Sequence, residues 1–218
     1  MQAKAYKGMG MEGGVARWYD KTTRRDLPEF KALARKLAEG LAPGAKVLEV
    51  APGPGFFAIE LAKIGKYEIT ALDISKSFVE IAKRNAQQEH VEVDFRQGNA
   101  SQMPFAEASF DFLLCRAAFK NFSDPVGALR EMRRVLKPDG RAVVIDLRKD
   151  VNKKVLDDYI RGLKVGTLSA FMMKWTFRLM LIRRAYTKQQ FGEFISQSGF
   201  NNSEIQETPI GFEITLTK

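Results

Sequence analysis

The chain has 218 residues, of which 45% are hydrophobic, and a formal net charge of +9. That length suits one α/β domain with an appendage better than two domains. Cys115 and His90 are its only cysteine and histidine, which excludes an intramolecular disulfide and argues against a His/Cys zinc site or any metal centre built on one.

The charge is uneven. Residues 1–36 carry a net +5 and residues 151–190 a net +7, whereas residues 37–150 balance to 0 and residues 191–218 carry −3. Basic flanks around a neutral centre suit a solvated surface, a nucleic-acid partner or contact with an anionic membrane. The first residues lack the apolar run of a signal peptide, and no run of about 18 apolar residues follows. A cytoplasmic protein is expected, with its single thiol reduced.

Residues 1–16 are rich in Gly and Met and aperiodic, which predicts a mobile arm. Trp18-Tyr19-Asp20 then leads into a helix, in which Leu27, Phe30, Leu33, Ala34, Leu37 and Leu41 recur every three or four residues. Pro28 suits its first turn, and Gly40 and Pro43-Gly44 end it. Residues 45–50 read as a buried strand. A Gly/Pro turn follows, Ala51-Pro52-Gly53-Pro54-Gly55, and then a helix from Phe56 to about Ile64. Gly53 and Gly55 permit a tight turn and close approach of a ligand, and the helix start offers unpaired N–H groups. Gly53-x-Gly55-x-x-Ala58 fits the relaxed dinucleotide fingerprint, pointing to a nucleotide-like ligand without saying which.

Residues 67–73 predict a second strand ending in Asp73, and Ser75 is placed to cap a helix over 77–88. Residues 91–96 alternate as a third strand, 98–105 form a loop, and 110–115 form a buried fourth strand. Asp124-Pro125 opens a helix running to Leu136; 137–140 is a turn and 141–147 a fifth strand. Five strands alternating with helices predict a parallel sheet covered on both faces. Residues 151–185 read as a helical insertion. Thr187 then caps a helix over 188–198 that Gly199 ends, and two short strands close the chain. In the last of these, Ile214 and Leu216 alternate with polar residues, which suits an antiparallel strand added to the sheet.

Five blocks in order resemble the class I S-adenosylmethionine (SAM)-dependent methyltransferases. They are Leu48-Glu49-Val50-Ala51-Pro52-Gly53-Pro54-Gly55, Ala71-Leu72-Asp73-Ile74-Ser75, Gly98-Asn99-Ala100-Ser101-Gln102-Met103-Pro104-Phe105, Ser109-Phe110-Asp111-Phe112 and Arg134-Val135-Leu136-Lys137-Pro138-Asp139-Gly140. An NAD-binding oxidoreductase shares only the first two. A narrower resemblance, at Arg116-Ala117-Ala118-Phe119-Lys120-Asn121-Phe122-Ser123-Asp124 and Trp18-Tyr19-Asp20, is to the ubiquinone/menaquinone-biosynthesis C-methyltransferases. The resemblance implies a Rossmann-like, doubly wound α/β fold with a mostly parallel sheet; the residue pattern adds an antiparallel C-terminal strand and a helical cap insertion over 151–185, which resembles no part of the family. One domain then divides into an arm and helix (1–44), a SAM-binding core (45–150), a cap over the acceptor pocket (151–185) and a C-terminal completion of the core (186–218).

The resemblance also implies roles. Gly53 and Gly55, with Ala51, let the backbone pass the methionine part of SAM; Glu49 attracts its ammonium group; Asp73 binds the ribose hydroxyls. Ile74, Ala100 and Met103 border the adenine. Asn99 stands where the family usually has Asp, so it accepts the adenine amino group without a charge. Cys115 lies near the expected methyl group. An acceptor pocket is expected to involve Tyr19, Arg116, Phe119, Phe171, Met172 and Trp175, and its composition suits a small, lipophilic, aromatic or anionic acceptor. Methyl transfer is an in-line displacement in which orientation supplies most of the rate, so a base is optional. Tyr19, Cys115, Asp146 and Tyr159 are the candidates if one is needed. An RNA or protein methyltransferase and a non-catalytic SAM-fold protein are the competing readings. Against the first, Cys115-Arg116-Ala117-Ala118 stands where an Asn-Pro-Pro-Tyr-type acceptor motif belongs; against the second stand the intact glycines and Asp73.

Overall fold

Seven strands form one sheet in a computed structural model that describes residues 6–7, 10–162 and 181–218. The strands are β1 (Lys46–Val50), β2 (Glu68–Asp73), β3 (Asp94–Gln97), β4 (Phe110–Arg116), β5 (Leu136–Leu147), β6 (Asn202–Glu207) and β7 (Gly211–Thr217). Among the described residues the helices are α1 (Gly13–Thr23), α2 (Leu27–Ala38), α3 (Phe56–Ala62), α4 (Lys76–Gln88), α5 (Pro125–Val135), α6 (Lys153–Gly162) and α7 (Lys188–Ser198). Short helical turns add Arg24–Asp26, Phe119–Asn121 and Ile182–Arg184.

The sheet order is β3-β2-β1-β4-β5-β7-β6, and β7 runs antiparallel to both neighbours. This is the mostly parallel, doubly wound fold that the resemblance implied, with the antiparallel C-terminal strand that the residue pattern added. Alternate strand residues feed the two faces. Val47, Ile69, Phe112 and Leu114 pack with α2, α3 and α4, whereas Leu48, Leu113, Cys115 and Val144 pack with α5 and α7. The strand order reverses between β1 and β4, so the carboxyl ends of these two strands border the crevice where open α/β sheets bind ligands.

The capping expectations hold. Ser75 accepts from the N–H of Phe78, Asp124 from that of Gly127, and Thr187 forms a capping box with Gln190; Gly199 ends α7 at φ +86°. Three boundaries differ. The N-terminal arm is helical from Gly13 onward, because Glu12 and Gly13 bond to the start of α4. The third strand pairs only over Asp94–Gln97, since the N–H of Val91 closes the turn after α4 by bonding to Ala86. Residues 137–140 belong to β5 as an outward irregularity between the Phe110–Leu136 and Phe112–Arg141 pairs. Of the expected insertion, α6 and the turn Ile182–Arg184 are described; its remainder, with Phe171, Met172 and Trp175, lies outside the described residues.

Candidate active site

Two buried carboxylates mark the carboxyl ends of β1 and β2. Glu49 is 3% exposed and its Oε2 accepts the N–H of Ala58 at 3.0 Å. That bond uses one of the free N–H groups that the start of α3 was expected to offer a ligand. Burial raises the Glu49 pKa to about 8, against the Ala58 bond and the nearby Arg116, with Asp73 adding to the rise. Asp73 is 5% exposed; its Oδ2 accepts from Gly53 N at 3.0 Å and its Oδ1 from Ser75 N at 2.8 Å. Burial lifts its pKa to about 6, and the bonds from Ser75 and Gly53 limit the rise. Neither carboxylate has an ion pair among the described residues, so each carries a desolvation cost that a cationic or hydroxyl-bearing ligand would relieve.

The two glycines do different work. Gly53 adopts φ +57°, and a Cβ placed there would have only Tyr19 nearby, at 3.9 Å. Gly55 adopts φ +81°, and its Cβ would lie 2.8 Å from Phe95 and 2.9 Å from Ala82. The backbone at Gly53 is therefore open towards Tyr19, whereas Gly55 is demanded by the packing of the turn against α4 and β3. Ala51 and Ala117, which follow β1 and β4, both adopt positive φ, at 56° and 57°. Non-glycine residues in that region cost of order 1–2 kcal/mol each, and such strain concentrates at functional sites.

Around the adenine position expected for Asn99, the Asn99 Oδ1 accepts Ser101 N at 3.0 Å and has one lone pair left. Ile74, the residue after β2, is 39% exposed, Ala100 is half-buried, and Met103 is buried in the core. Of the residues expected to line an acceptor pocket, Tyr19 packs edge-on against Phe78, with centroids 5.6 Å apart. The Arg116 guanidinium lies 4.4 Å from the Phe30 centroid and 3.4 Å from Glu29.

The surroundings of four candidate residues bear on their expected roles. Phe119 is fully buried, stacked on Phe191 at 4.9 Å and flanked by Phe122 and Tyr186, so it builds the core and has no face free for an acceptor. Cys115 is fully buried, as its place in a buried strand predicts, and burial pushes its thiol well up, which disfavours a role as a base. Asp146 accepts from Lys120 Nζ at 2.8 Å, from Lys120 N at 2.8 Å and from Leu147 N at 2.7 Å; three donors leave it a structural anchor. Burial also raises the phenol of Tyr159, making it a poor base at neutral pH, with Glu29 adding to the rise.

Tyr6 is the residue that sequence reasoning passed over. It bridges to Phe122, and burial raises its phenol, with Arg184 opposing and Asp73 and Tyr19 adding. The neighbouring Lys7 bonds from its N–H to Asn121 O at 2.7 Å and from Nζ to the Tyr186 hydroxyl. The N-terminal segment thus reaches the loop after β4 at Asn121 and Phe122, and the start of α4 at Ser75, whose hydroxyl donates to Met11 O at 2.6 Å. A lone tyrosine in an aperiodic stretch gave no pattern by which to find it.

Residues 48–144 match the family described as a methyltransferase domain. A demethylmenaquinone methyltransferase of Chlorobaculum parvum is 30% identical over 190 residues, 84% of this chain and 76% of the relative. A demethylmenaquinone methyltransferase of Thermotoga maritima is 33% identical over 181 residues, 78% of this chain and 74% of the relative. The crystal structure of a SAM-dependent methyltransferase from Aquifex aeolicus superposes with a TM-score of 0.69 at 20% identity, covering 92% of this chain and 95% of that one. The fold and the relatives define a class I SAM-dependent methyltransferase. Within that class, the chain belongs to the family that includes the ubiquinone/menaquinone-biosynthesis C-methyltransferases, with SAM as its cofactor and a small molecule as its acceptor.

Proposed function

We propose that this enzyme methylates a ring carbon of a lipophilic dihydroxylated aromatic acceptor, the reduced form of a demethylmenaquinone-like quinone. The relatives act on demethylmenaquinone by name. The observation that carries the reading within this chain is the pair of buried carboxylates, Glu49 and Asp73, which accept backbone N–H bonds but have no ion pair among the described residues and flank the open Gly53 turn. That donor set fits SAM: Glu49 would face its ammonium group, Asp73 its ribose hydroxyls, and the Gly53 backbone the chain between them, with Ala51 at the strand end. Ile74, Asn99 and Ala100 would border the adenine, and Met103 would shape that pocket from the core. Gly55 supports the turn from behind.

When bound, SAM supplies an electrophilic methyl group on a sulfonium. An electron-poor quinone is a weak nucleophile, so the acceptor is the quinol, whose ionised hydroxyl makes the neighbouring ring carbon electron-rich. That carbon would take the methyl group as its sulfur–carbon bond breaks, and the ring proton would then pass to solvent water as the ring regains its aromaticity. Cys115, Asp146 and Tyr159 are each unsuited to take a proton, for the reasons above. The residues therefore orient the acceptor and exclude water, and ionisation of the quinol hydroxyl is favoured by Arg116 at the end of β4. Tyr19 closes the same space from α1.

The acceptor's lipid tail calls for a membrane contact, and we propose that α1 makes it. Trp18 is 65% exposed and Val15 36% exposed on one side of this helix. Arg17 and Lys21 flank Trp18, are exposed, and have no ion pair among the described residues. An apolar aromatic bordered by free cations suits an anionic bilayer surface. Among the described residues no helix is long and apolar enough to cross a membrane. The defining experiment is methyl transfer from SAM to a short-tailed demethylmenaquinol, followed by mass. Transfer to RNA or protein but not to the quinol would overturn the acceptor reading.

A further inference from the structure

The glycine turn is held from below by a side chain that the proposed chemistry does not use. Asn85 lies on α4 and is 5% exposed. Its Nδ2 donates to Pro54 O at 3.0 Å and to Asp20 Oδ1 at 3.0 Å, and its Oδ1 accepts from Arg24 Nη2 at 2.7 Å. The partners fix the orientation of the amide. A carbonyl and a carboxylate only accept, and a guanidinium only donates, so rotating the amide by half a turn would break all three bonds.

The three partners come from three places. Pro54 sits between Gly53 and Gly55 at the centre of the turn, and its carbonyl is in a buried residue. Asp20 lies on α1, next to Tyr19, the side chain that Gly53 faces. Arg24 opens the turn after α1, and its guanidinium lies 5.4 Å from the centroid of Phe56, the first residue of α3. One buried amide therefore joins the N-terminal helix, the glycine turn and the start of α3.

We propose that Asn85 is a positioning residue of the donor site: it sets the distance between the Gly53 backbone and Tyr19, and so the width of the space that receives the cofactor. The inference rests on the reading that Gly53 borders the cofactor. Removing the amide leaves the Pro54 carbonyl without its buried donor and frees α1 from the turn. Linkage is reciprocal, so a ligand that fixes the turn also restrains α1 through the same amide.

The test uses S-adenosylhomocysteine, the demethylated product, measured by calorimetry on the full chain, with hydrogen exchange read across residues 13–26. In the unaltered protein, the product is expected to bind and to slow exchange in α1. Asn85→Leu and Asn85→Asp are expected to weaken binding by about tenfold, the scale of one or two lost buried hydrogen bonds, and to abolish the slowing in α1. If either variant folds poorly, Asp20→Ala removes the α1 bond from a half-buried position, and Asp20→Asn retains an acceptor and should restore both readouts. A folded Asn85 variant or Asp20→Ala that binds the product with unchanged affinity overturns the proposal, whatever the change in melting temperature. Failure of the unaltered protein to bind the product would instead overturn the site reading, and the proposal with it.

Discussion

Lys120 and Asp146 form a buried ion pair, Nζ to Oδ1 at 2.8 Å, with side chains only 4% and 1% exposed. The pair ties the loop after β4 to the end of β5, and Lys120 also donates to the carbonyl of Ala117, which sits at positive φ. The strained strand end that borders the crevice is therefore locked from within the protein.

Breaking such a pair from one side costs about 3–5 kcal/mol, because the other charge stays buried. Lys120→Met should lower stability by that amount in urea unfolding. Adding Asp146→Asn should recover part of the loss, since its amide oxygen still accepts a backbone N–H while the stranded charge is gone. A loss below about 1 kcal/mol in the single variant would place the pair among surface-like bridges and contradict its burial.

The two glycines should separate binding from stability. Gly55→Ala forces a Cβ to within 2.9 Å of Phe95 and Ala82 at φ +81°. Backbone strain of about 1–2 kcal/mol and overpacking of about 1–3 kcal/mol then add in unfolding experiments. Gly53→Ala meets only Tyr19 at 3.9 Å. It should cost about 1–2 kcal/mol of stability from backbone strain alone, yet weaken product binding more than Gly55→Ala does among folded molecules. The opposite ranking in calorimetry would remove Gly53 from the cofactor site.

Asp73 has a double task, since it holds Gly53 N and Ser75 N as well as facing the proposed ribose. Asp73→Ala should weaken product binding by roughly 1.5–3 kcal/mol, the scale of a charge-assisted hydrogen bond. Asp73→Asn keeps one acceptor oxygen and should lose less. Equal affinity in the unaltered protein and Asp73→Ala would exclude the role.

Much of the candidate site and its supporting caps had a signal in the sequence, and the reasons differ by residue. Glu49, Gly53 and Asp73 belong to short blocks in which strand, turn and acid are neighbours, so local pattern singled them out as candidates. Ser75, Asp124 and Thr187 were legible because a cap bonds within three residues. Asn85 and Pro54 are 31 residues apart, and Lys120 and Asp146 are 26 apart. No periodicity links such partners, and only the sheet order brings them together. Phe119 misled because an aromatic after a strand end looks the same whether it faces a pocket or the core. The third strand misled because alternation specifies a face and says nothing of how many residues find a partner.

Glu49 should make cofactor binding pH-dependent. Its carboxyl is raised from an ordinary 4.5 to about 8 in the folded protein. Between those values it is charged in the unfolded chain and neutral in the folded one, so its contribution to stability is complete below the ordinary value and lost as pH rises through about 8. Glu49→Gln should therefore raise the melting temperature of the free protein at alkaline pH and change it little in acid. A ligand ammonium group favours the ionised carboxylate, so binding expels a proton, and affinity should rise about fivefold from roughly pH 7 to 8. Calorimetry in buffers of different ionisation enthalpy reads that proton directly. A flat affinity profile in the unaltered protein, matching Glu49→Gln, would show that Glu49 does not face the ammonium group.

The exposed aromatic of α1 gives the membrane reading its own test. Burying an indole at a bilayer surface gains of order 1–3 kcal/mol, and each lysine or arginine near an anionic surface adds about 1 kcal/mol. The unaltered protein should co-sediment with vesicles containing phosphatidylglycerol and much less with neutral phosphatidylcholine vesicles. Trp18→Ala should weaken that binding by about tenfold or more, and replacing Arg17 and Lys21 by Gln should weaken it and flatten its salt dependence. Trp175→Phe leaves Trp18 as the only tryptophan, and its emission should then shift to the blue on adding anionic vesicles. Methyl transfer to a short-tailed soluble quinol should be unchanged in Trp18→Ala, because that side chain is 65% exposed and holds neither the donor nor the acceptor in the proposed reading. Vesicle binding that is equally strong in Trp18→Ala and in the Arg17/Lys21 variant would move the contact to another surface of the protein. Salt-sensitive RNA binding without vesicle binding would assign the basic face to nucleic acid instead.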